Sequence, residues 1–206
     1  MTPPADYGYH SATATWAQSY LAPQVTRLLG GTGNGPMLDL GCGNGSLART
    51  LLAQGHDVFG VDASESGIAI ANAQTPGRFF VLDLNTTSLP AELADRRFNT
   101  VISTEVIEHL YDPRALLASA RRALAPGGRL ILSTPYHGYL KNVALALSGK
   151  LDGHFTVLWD GGHIKFFSRA TLTRLLRQEG FEVTAFAGAG RLPWLWKSMV
   201  LCARMV

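Results

Sequence analysis

The residues best suited to chemistry begin with a glycine-rich run that follows a short apolar stretch. In Asp39-Leu40-Gly41-Cys42-Gly43-Asn44-Gly45, an acidic residue precedes three alternating glycines. Glycine has no Cβ and tolerates positive φ, so such a loop brings backbone amides close to a ligand. A helix predicted at residues 46–54 would begin directly after the loop, with its first amide groups available to that ligand. Ser46 stands where the dinucleotide fingerprint has a third glycine or alanine, so the fit to a pyrophosphate site is imperfect.

A second acidic residue, Asp62, ends the next apolar run. Residues 57–62 predict a strand, and the second strand of an open α/β sheet commonly ends in such an acid. A carboxylate there suits a ribose, because both hydroxyls of the diol can donate to it. The two acids and the loop together predict a ligand that contains adenosine.

The elements that must position these residues alternate between apolar strands and amphipathic helices. Strands are predicted at about 37–40, 57–62, 78–83, 98–103, 128–133, 181–188 and 197–205. Helices are predicted at about 15–29, 46–54, 66–73, 113–124 and 169–179. This alternation is typical of a parallel sheet with helices on both faces, whose ligands bind at the carboxyl ends of the strands. The last two strands are joined too closely for a helix, which predicts an antiparallel pair.

Four segments, taken in order, resemble the class I methyltransferases that use S-adenosylmethionine. They are residues 39–45, 60–64, 81–84 and 105–110. The segment Glu105-Val106-Ile107-Glu108-His109 is most similar to the quinone O-methyltransferase branch (methyltransferase type 11/12). The resemblance implies a Rossmann-like, doubly wound α/β fold. Its sheet would be mostly parallel and seven-stranded, with an antiparallel final strand.

The same resemblance implies S-adenosyl-L-methionine as the cofactor and S-adenosyl-L-homocysteine as its product. Asp39 would lie near the amino-acid part, Asp62 at the ribose and Asp83 at the adenine amino group. The residues expected to bind the cofactor are Asp39, Gly41, Cys42, Gly43, Asp62, Ala63, Asp83, Leu84, Thr104 and Glu105.

Catalysis of methyl transfer requires an acceptor atom held in line with the methyl group in a dry pocket. A hydroxyl is a poor nucleophile until its proton is removed, and histidine titrates near neutral pH, so His109 is the candidate general base. The alternative for His109 is a residue that packs or orients its loop. The residues expected to act at the acceptor are His109, Tyr136, His137 and His163. Histidine and aspartate between 137 and 163 could hold a divalent metal, but their spacing matches no metal motif and a hydrogen-bonded lid without metal is expected.

The whole chain of 206 residues is expected to form a single methyltransferase domain, 1–206. Residues 1–34, rich in aromatics that include Tyr7, are expected to cap the site, and the insertion 136–165 to form a lid over the acceptor. A net charge of +3 without a basic cluster argues against nucleic-acid binding. Two cysteines, and no recognisable signal peptide, favour the reducing cytoplasm.

Residues 140–147 are apolar enough for peripheral membrane contact, although no run is long enough to span a membrane. The oligomeric state is left open. The expected activity is methylation of a small-molecule acceptor at a hydroxyl oxygen of a phenol or quinone. Alternatives are N-methylation of an amine and O-methylation of a sugar or glycan precursor. From other classes, a nucleotide-dependent oxidoreductase and a non-catalytic protein that binds S-adenosylmethionine are the rivals.

Overall fold

Seven strands form one sheet in the order β3-β2-β1-β4-β5-β7-β6. The structure is a computed structural model that describes residues 8–33, 35–84, 88–155 and 157–206. The strands are β1 (Met37–Leu40), β2 (Val58–Asp62), β3 (Phe79–Val81), β4 (Phe98–Thr104), β5 (Leu124–Pro135), β6 (Phe181–Ala189) and β7 (Ser198–Met205). β7 runs antiparallel to both of its neighbours, while the pairs from β3 to β5 are parallel. The predicted doubly wound α/β fold with an antiparallel final strand is confirmed.

The helices cover both faces of this sheet. They are α1 (Gln18–Leu29), α2 (Ser46–Ala53), α3 (Glu65–Gln74), α4 (Pro113–Ala123), α5 (Tyr139–Leu147), α6 (Leu151–Phe155) and α7 (Arg169–Gln178). Short 3-10 turns lie at Ala91–Leu93 and Ile107–His109. Across the described parts of the chain, every helix is too short or too polar to cross a bilayer.

The core consists of two apolar layers, one on each face of the sheet. Alternate residues of a strand point to opposite faces. In β1, Met37 therefore joins the layer under α1, α2 and α3, whereas Leu38 and Leu40 join the layer under α4 and α7. All four residues of β1 are buried, as expected for a central strand covered on both sides. This burial holds the carboxyl end of β1 rigidly beside those of β2 and β4.

Local capping explains where two of the helices begin. The Asp112 carboxylate accepts from the amide of Arg114 at 2.9 Å, and Pro113 occupies the first helical position of α4. Ser168 and Thr171 form a reciprocal capping box at the start of α7. Both starts agree with the sequence-based prediction.

Two strand predictions need correction. β3 was expected at 78–83 but ends at Val81, so Asp83 follows the strand by two residues rather than ending it. β3 is an edge strand paired only with β2, and its pairing stops early.

β5 is predicted at 128–133 but spans twelve residues, because it is paired on both sides, with β4 and β7. A register shift opposite its first residues accommodates the Gly127 turn at φ 73°.

The described part of the segment before α1 lies against the glycine loop. The amide of Tyr9 donates to Ser66 Oγ at 3.1 Å. The side-chain amide of Asn44 donates to the carbonyl oxygens of Ser11 and Thr13, at 2.8 and 2.9 Å. α1 itself packs on the sheet through Leu21, Val25 and Leu29. Tyr7, within the predicted cap, and Asn34 lie outside the described residues, and the cap and lid roles stay predictions.

Candidate active site

The glycine loop has the backbone conformation that its sequence predicts. Gly41, Gly43 and Gly45 have φ values of 82°, 54° and 72°, and α2 begins directly after Gly45. A Cβ at Gly45 would lie 2.8 Å from Cβ of Ala71, and one at Gly41 would overlap the side chain of Val106. Larger residues are therefore excluded by both conformation and space. The result is a narrow turn that points backbone amides at the carboxyl end of β1.

Asp39 is a buried carboxylate with an unsatisfied acceptor. Its side chain is 1% exposed, and its Oδ1 has no hydrogen-bond partner among the described residues. Burial, with a smaller contribution from the nearby charge of Asp62, raises the pKa of Asp39 to about 7. An orphaned buried acceptor beside the loop fits the ammonium group in the amino-acid part of S-adenosylmethionine.

Asp62 joins the loop to the start of α3. Its Oδ2 accepts from the amide of Gly43 and its Oδ1 from the amide of Ser64, both at 2.8 Å. An ionised carboxylate has about four acceptor sites, so these two bonds remain compatible with a ribose contact. Asp62 thus shapes the cradle even before a ligand binds.

The other residues that are predicted to bind the cofactor differ in how deeply their side chains are buried. The Cys42 side chain is buried in the apolar layer under α2, so only its backbone can meet a ligand there. Burial raises the pKa of the Cys42 thiol well above its ordinary value. Ala63, Asp83 and Thr104 are half-buried, and Leu84 is buried. These placements are compatible with the predicted roles, which stay predictions.

Glu105, a residue predicted to bind the cofactor, has its side chain directed toward β5 and β7. It has a φ of 55°, a left-handed conformation that is uncommon for a non-glycine residue. Its carboxylate accepts from Ser133 Oγ at 2.8 Å and from Ser198 Oγ at 2.9 Å, so it faces β5 and β7. Burial raises the pKa of Glu105 to about 7. Tyr20 of α1 shares a side-chain hydrogen bond with Ser198, and burial raises the pKa of its phenol.

Glu108 lies completely buried beneath two histidines. Its Oε2 accepts from Thr134 Oγ1 at 2.9 Å, whereas its Oε1 has no hydrogen bond among the described residues. That Oε1 lies 4.0 Å from Nε2 of His109 and 4.0 Å from Nε2 of His163. Burial, reinforced by the charge of Glu105, raises the pKa of Glu108 well above its ordinary value. The backbone carbonyl of Glu108 also accepts from the amides of Ile164 and Lys165, at 2.9 and 3.0 Å, which holds the lid segment in place.

Glu108, His109 and His163 could together hold a metal ion. One ligand atom from each lies within 4.8 Å of the others. Carboxylate and imidazole are ligands that zinc and other divalent cations accept. The expectation of a metal-free site therefore stays a prediction. The sequence signal that could have indicated this group was the pairing of Glu108-His109 with a histidine in a glycine-containing loop.

His109 is oriented by the backbone of the lid. Its Nδ1 lies 2.8 Å from the carbonyl oxygen of Gly161, so Nδ1 carries the proton and donates. The lone pair is then on Nε2, the nitrogen that faces Glu108. The imidazole packs edge-on against Trp159 and His163, with ring centroids 5.7 and 4.8 Å apart. An imidazole held in this tautomer can accept a proton at Nε2.

His137 and Tyr136 belong to different surroundings from His109. His137 packs among His154, Phe155 and Phe166, and its buried Nε2 has no hydrogen-bond partner in the described structure. Burial lowers the pKa of His137 to about 4, so it is neutral at pH 7. Tyr136 is buried in an apolar layer and packs edge-on against Trp196 at 5.2 Å. The structure thus brings His109 and His163 together, places His137 with His154, and leaves Tyr136 against the core.

Several contributors to the site were not predicted. Ser133, Thr134 and Ser198 bind the two buried glutamates, and Lys141 is buried in the lid. The polar pair Ser133-Thr134 at the end of an apolar strand was a usable signal. Neither Ser198 nor Lys141 stands in a pattern that distinguishes it from a surface residue.

The sequence comparisons agree with this geometry. Residues 13–185 match a family described as a methyltransferase domain. A ubiquinone biosynthesis O-methyltransferase of Cereibacter sphaeroides (strain ATCC 17025 / ATH 2.4.3) is 33% identical over 78% of this chain and 66% of its own length. One of Dinoroseobacter shibae is 34% identical over 71% of this chain and 59% of its own length. The matched part of this chain therefore spans slightly less than two thirds of these relatives.

Solved structures share the fold. An S-adenosylmethionine-dependent methyltransferase from Mesorhizobium loti has a TM-score of 0.67 at 20% identity, with 88% of this chain and 96% of that chain covered. The magnesium protoporphyrin IX methyltransferase of Synechocystis PCC 6803, solved with bound SAH, has a TM-score of 0.66 at 22% identity. That match covers 97% of this chain and 91% of the other. The family match over residues 13–185, together with the glycine cradle, the two acids and the strand order, makes the chain a member of the class I S-adenosylmethionine-dependent methyltransferases.

Proposed function

We propose that the protein transfers a methyl group from S-adenosyl-L-methionine to a hydroxyl oxygen of a small molecule, with a phenol or quinone-like ring as the acceptor. The observation that carries this proposal is the orientation of His109. A backbone carbonyl fixes its tautomer, and its Nε2 is directed toward a buried carboxyl just beyond β4. The named function of the relatives, O-methylation in ubiquinone biosynthesis, supports oxygen as the atom methylated.

In this proposal the residues of the chain divide the work. The glycine loop, Asp39 and Asp62 hold the cofactor, which when bound supplies the methyl group and leaves as a neutral thioether. His109 takes the hydroxyl proton at Nε2 as the acceptor oxygen becomes the nucleophile. The Glu108 carboxyl lies 4.0 Å from that nitrogen, and the positive charge of the resulting imidazolium favours the ionised form of Glu108. Trp159 and His163 border the His109 ring and hold its orientation.

Two other acceptors would use the same scaffold. An amine needs less help from a base, and a sugar or glycan hydroxyl needs more, because its pKa is higher than that of a phenol. A protein that only binds S-adenosylmethionine would keep the cradle but not turn over. Methyl transfer to catechols, sugars and amines, followed by mass spectrometry, separates these possibilities.

The variant His109→Ala tests the role of the base. We expect turnover to fall by about 10²–10⁴-fold, the range for general base catalysis, while the affinity for S-adenosylmethionine changes little. Calorimetric titration gives the affinity, and product formation gives the rate. Equal losses of affinity and rate would make His109 a structural residue. The variant Tyr111→Ala is a control, since Tyr111 is an exposed residue two positions away and should leave both quantities unchanged.

We also propose that the protein is cytoplasmic and contacts membranes peripherally. Both cysteines are free and buried, which suits a reducing compartment. Leu147, Val157 and Leu158 of the lid are each more than three quarters exposed, and the exposed Lys150 is near them in sequence. Apolar residues beside a cation favour the surface of an anionic bilayer. The protein should co-sediment with phosphatidylglycerol vesicles, and the double variant Leu147→Ser with Leu158→Ser should co-sediment less. Failure of the parent protein to co-sediment would contradict membrane contact.

A further inference from the structure

Helix α5 is inverted relative to the usual orientation of an amphipathic helix. Its one buried residue is Lys141, which is 6% exposed. In contrast, Tyr139, Leu140 and Leu147 of the same helix are 80%, 53% and 85% exposed. Lysine is among the residues least often buried, and burying an ammonium is unfavourable unless a partner compensates. A partner that compensates the buried charge of Lys141 is therefore expected.

The structure provides Lys141 with little compensation. Its Nζ donates one hydrogen bond, to the carbonyl oxygen of Lys197 at 3.3 Å, although an ammonium has three donors. Within the described residues, no carboxylate oxygen lies within 4.0 Å of that nitrogen. Burial and the charge of Arg191 lower the pKa of Lys141 to about 8, against the opposing effect of the Glu105 charge, so most molecules still carry the charge at pH 7. Lys141 is thus a buried cation without a close ion pair in the described structure, and the acidic group whose charge acts on it is Glu105.

Other polar atoms without partners surround this cation. Nε2 of His137, Nε2 of His154 and Oδ1 of Asn142 are all buried and, in the described parts of the chain, without a hydrogen bond. The two imidazoles are 5.3 Å apart. After burial itself, the charge of Lys141 is the next cause that lowers the pKa of each histidine, so the ammonium lies near both rings. Buried polar groups are normally hydrogen-bonded, and a cluster of exceptions indicates a ligand site.

This cluster lies near the end of β4, across that strand from the glycine loop. Lys197, whose carbonyl contacts Lys141, is followed by Ser198, whose hydroxyl binds Glu105 just after β4. The cofactor cradle lies on the opposite side of β4, at β1 and β2. The cluster is therefore next to Glu105, on the side of β4 away from the proposed cofactor cradle.

We propose that Lys141, together with the imidazoles of His137 and His154, binds a carboxylate or an equivalent singly charged oxyanion on the methyl acceptor. One ammonium without a close ion pair can bind one negative charge, and neutral imidazoles can each donate a hydrogen bond to the same group. This inference rests on the proposed function and narrows its acceptors to hydroxy acids. The acid can come from an aromatic ring or from a sugar acid.

Matched acids and amides test the subsite. The probes are 3,4-dihydroxybenzoate with 3,4-dihydroxybenzamide, and D-glucuronate with D-glucuronamide. Their affinities are measured by calorimetry with S-adenosyl-L-homocysteine present, so binding is read without turnover. In one of the pairs, the parent protein should bind the acid at least about tenfold more tightly than the amide, a typical consequence of pairing a buried charge.

Variants then assign the preference to Lys141. Lys141→Met should abolish the preference for the acid, and Lys141→Arg should restore part of it. Lys150→Met is the control, because Lys150 is an exposed lysine just beyond α5 and should leave the preference intact. The melting temperature of Lys141→Met should equal or exceed that of the parent, since an unpaired buried charge has been removed. A structural role would instead lower the melting temperature and leave the ratio of acid to amide unchanged.

The outcomes separate this inference from the proposed function. Equal binding of acid and amide, binding of neither member of either pair, or a preference that survives Lys141→Met would overturn the subsite. Methylation of a neutral catechol in that case would leave the proposed function standing. Conversely, acid binding that depends on Lys141, without methyl transfer from S-adenosylmethionine, would support the subsite and refute the proposed activity.

Discussion

At the scale of single residues, this site is built on carboxyl groups that have been removed from water. Asp39, Glu105 and Glu108 are each held in surroundings that raise their pKa values. Burying charged groups without full compensation is costly, so such groups are retained where a ligand or a reaction uses them. In the proposed function, part of the stability of the free protein is therefore given up so that a cationic cofactor can bind.

Asp39→Asn should show this exchange directly. The pKa of Asp39 rises from an ordinary value of 3.8 to about 7, so the folded protein binds the proton more tightly than the unfolded chain. The stability of the free protein is then lost as the pH rises from about 4 to about 7, by up to about 4 kcal/mol. Asn cannot ionise, so the variant should be more stable than the parent at pH 8 and bind S-adenosylmethionine more weakly. Urea denaturation at pH 5 and pH 8 measures the effect; parallel pH profiles for the two proteins would contradict it.

Asp62→Ala should weaken cofactor binding by about 1–3 kcal/mol, the scale of a lost hydrogen bond to a charged group. The variant removes the proposed ribose contact and also the acceptor for the amides of Gly43 and Ser64. Asp57→Ala is a matched control, since Asp57 stands just before β2, at the other end from Asp62, and pairs with Arg78 at the surface. Calorimetric titration with S-adenosylmethionine compares them. Unchanged affinity in Asp62→Ala would place the ribose elsewhere.

At the scale of elements, the junction between β1 and α2 carries the cradle. Its glycines adopt left-handed conformations in a space bounded by side chains from the N-terminal segment, α3 and β3. α2 can begin where it does only because the chain turns within so few residues. The amides at its start are therefore positioned by packing rather than by helix propensity.

The variant Gly45→Ala tests this junction, and Gly77→Ala is its matched control. Both glycines have positive φ, at 72° and 77°, but a Cβ at Gly45 would lie 2.8 Å from Ala71 Cβ, while one at Gly77 would meet nothing within 4 Å. We expect Gly77→Ala to lose about 1–2 kcal/mol of stability through backbone strain alone. Gly45→Ala should lose more, and only Gly45→Ala should weaken cofactor binding. Denaturation and titration of both variants provide the comparison; equal cofactor affinity would mean that the loop does not hold the ligand.

At the scale of the whole molecule, the sheet gathers residues that are distant in sequence. The order β3-β2-β1-β4-β5-β7-β6 brings the carboxyl ends of the central parallel strands to one edge. The lid then adds His163 to Glu108, and β7 adds Ser198 to Glu105. A ligand that binds across this edge contacts several elements at once and should stabilise the folded state as a unit.

Cofactor binding should therefore raise the melting temperature. At a concentration one hundred times the dissociation constant, a ligand specific for the folded state adds about 2.7 kcal/mol. For a chain of this length, that corresponds to a rise of about 5–10 °C. S-adenosyl-L-methionine and S-adenosyl-L-homocysteine should produce it in a thermal melt, and NADH should not. Stabilisation by NADH alone would exclude the assigned cofactor.

The amino-acid sequence by itself determined the fold class and the conformation of the glycine loop between β1 and α2. Strand periodicity and glycine placement are local properties, and the carboxyl ends of parallel strands necessarily meet at one edge. Asp39 and Asp62 therefore had to be neighbours once their strands were recognised. The starts of α4 and α7 also lie where the sequence predicts them, and each has a capping side chain at that point.

The acceptor side was decided only by the tertiary structure. Lysine is usually exposed, yet Lys141 is buried because α5 packs with its polar side inward. Glu105 faces Ser133 and Ser198, and Glu108 faces His163, through contacts that join residues 28 to 93 positions apart in the chain. Such contacts depend on how the lid and the last strand pack over the sheet. Local patterns of hydrophobicity carry no information on that packing, because the same polar residue can lie in water or in a buried site.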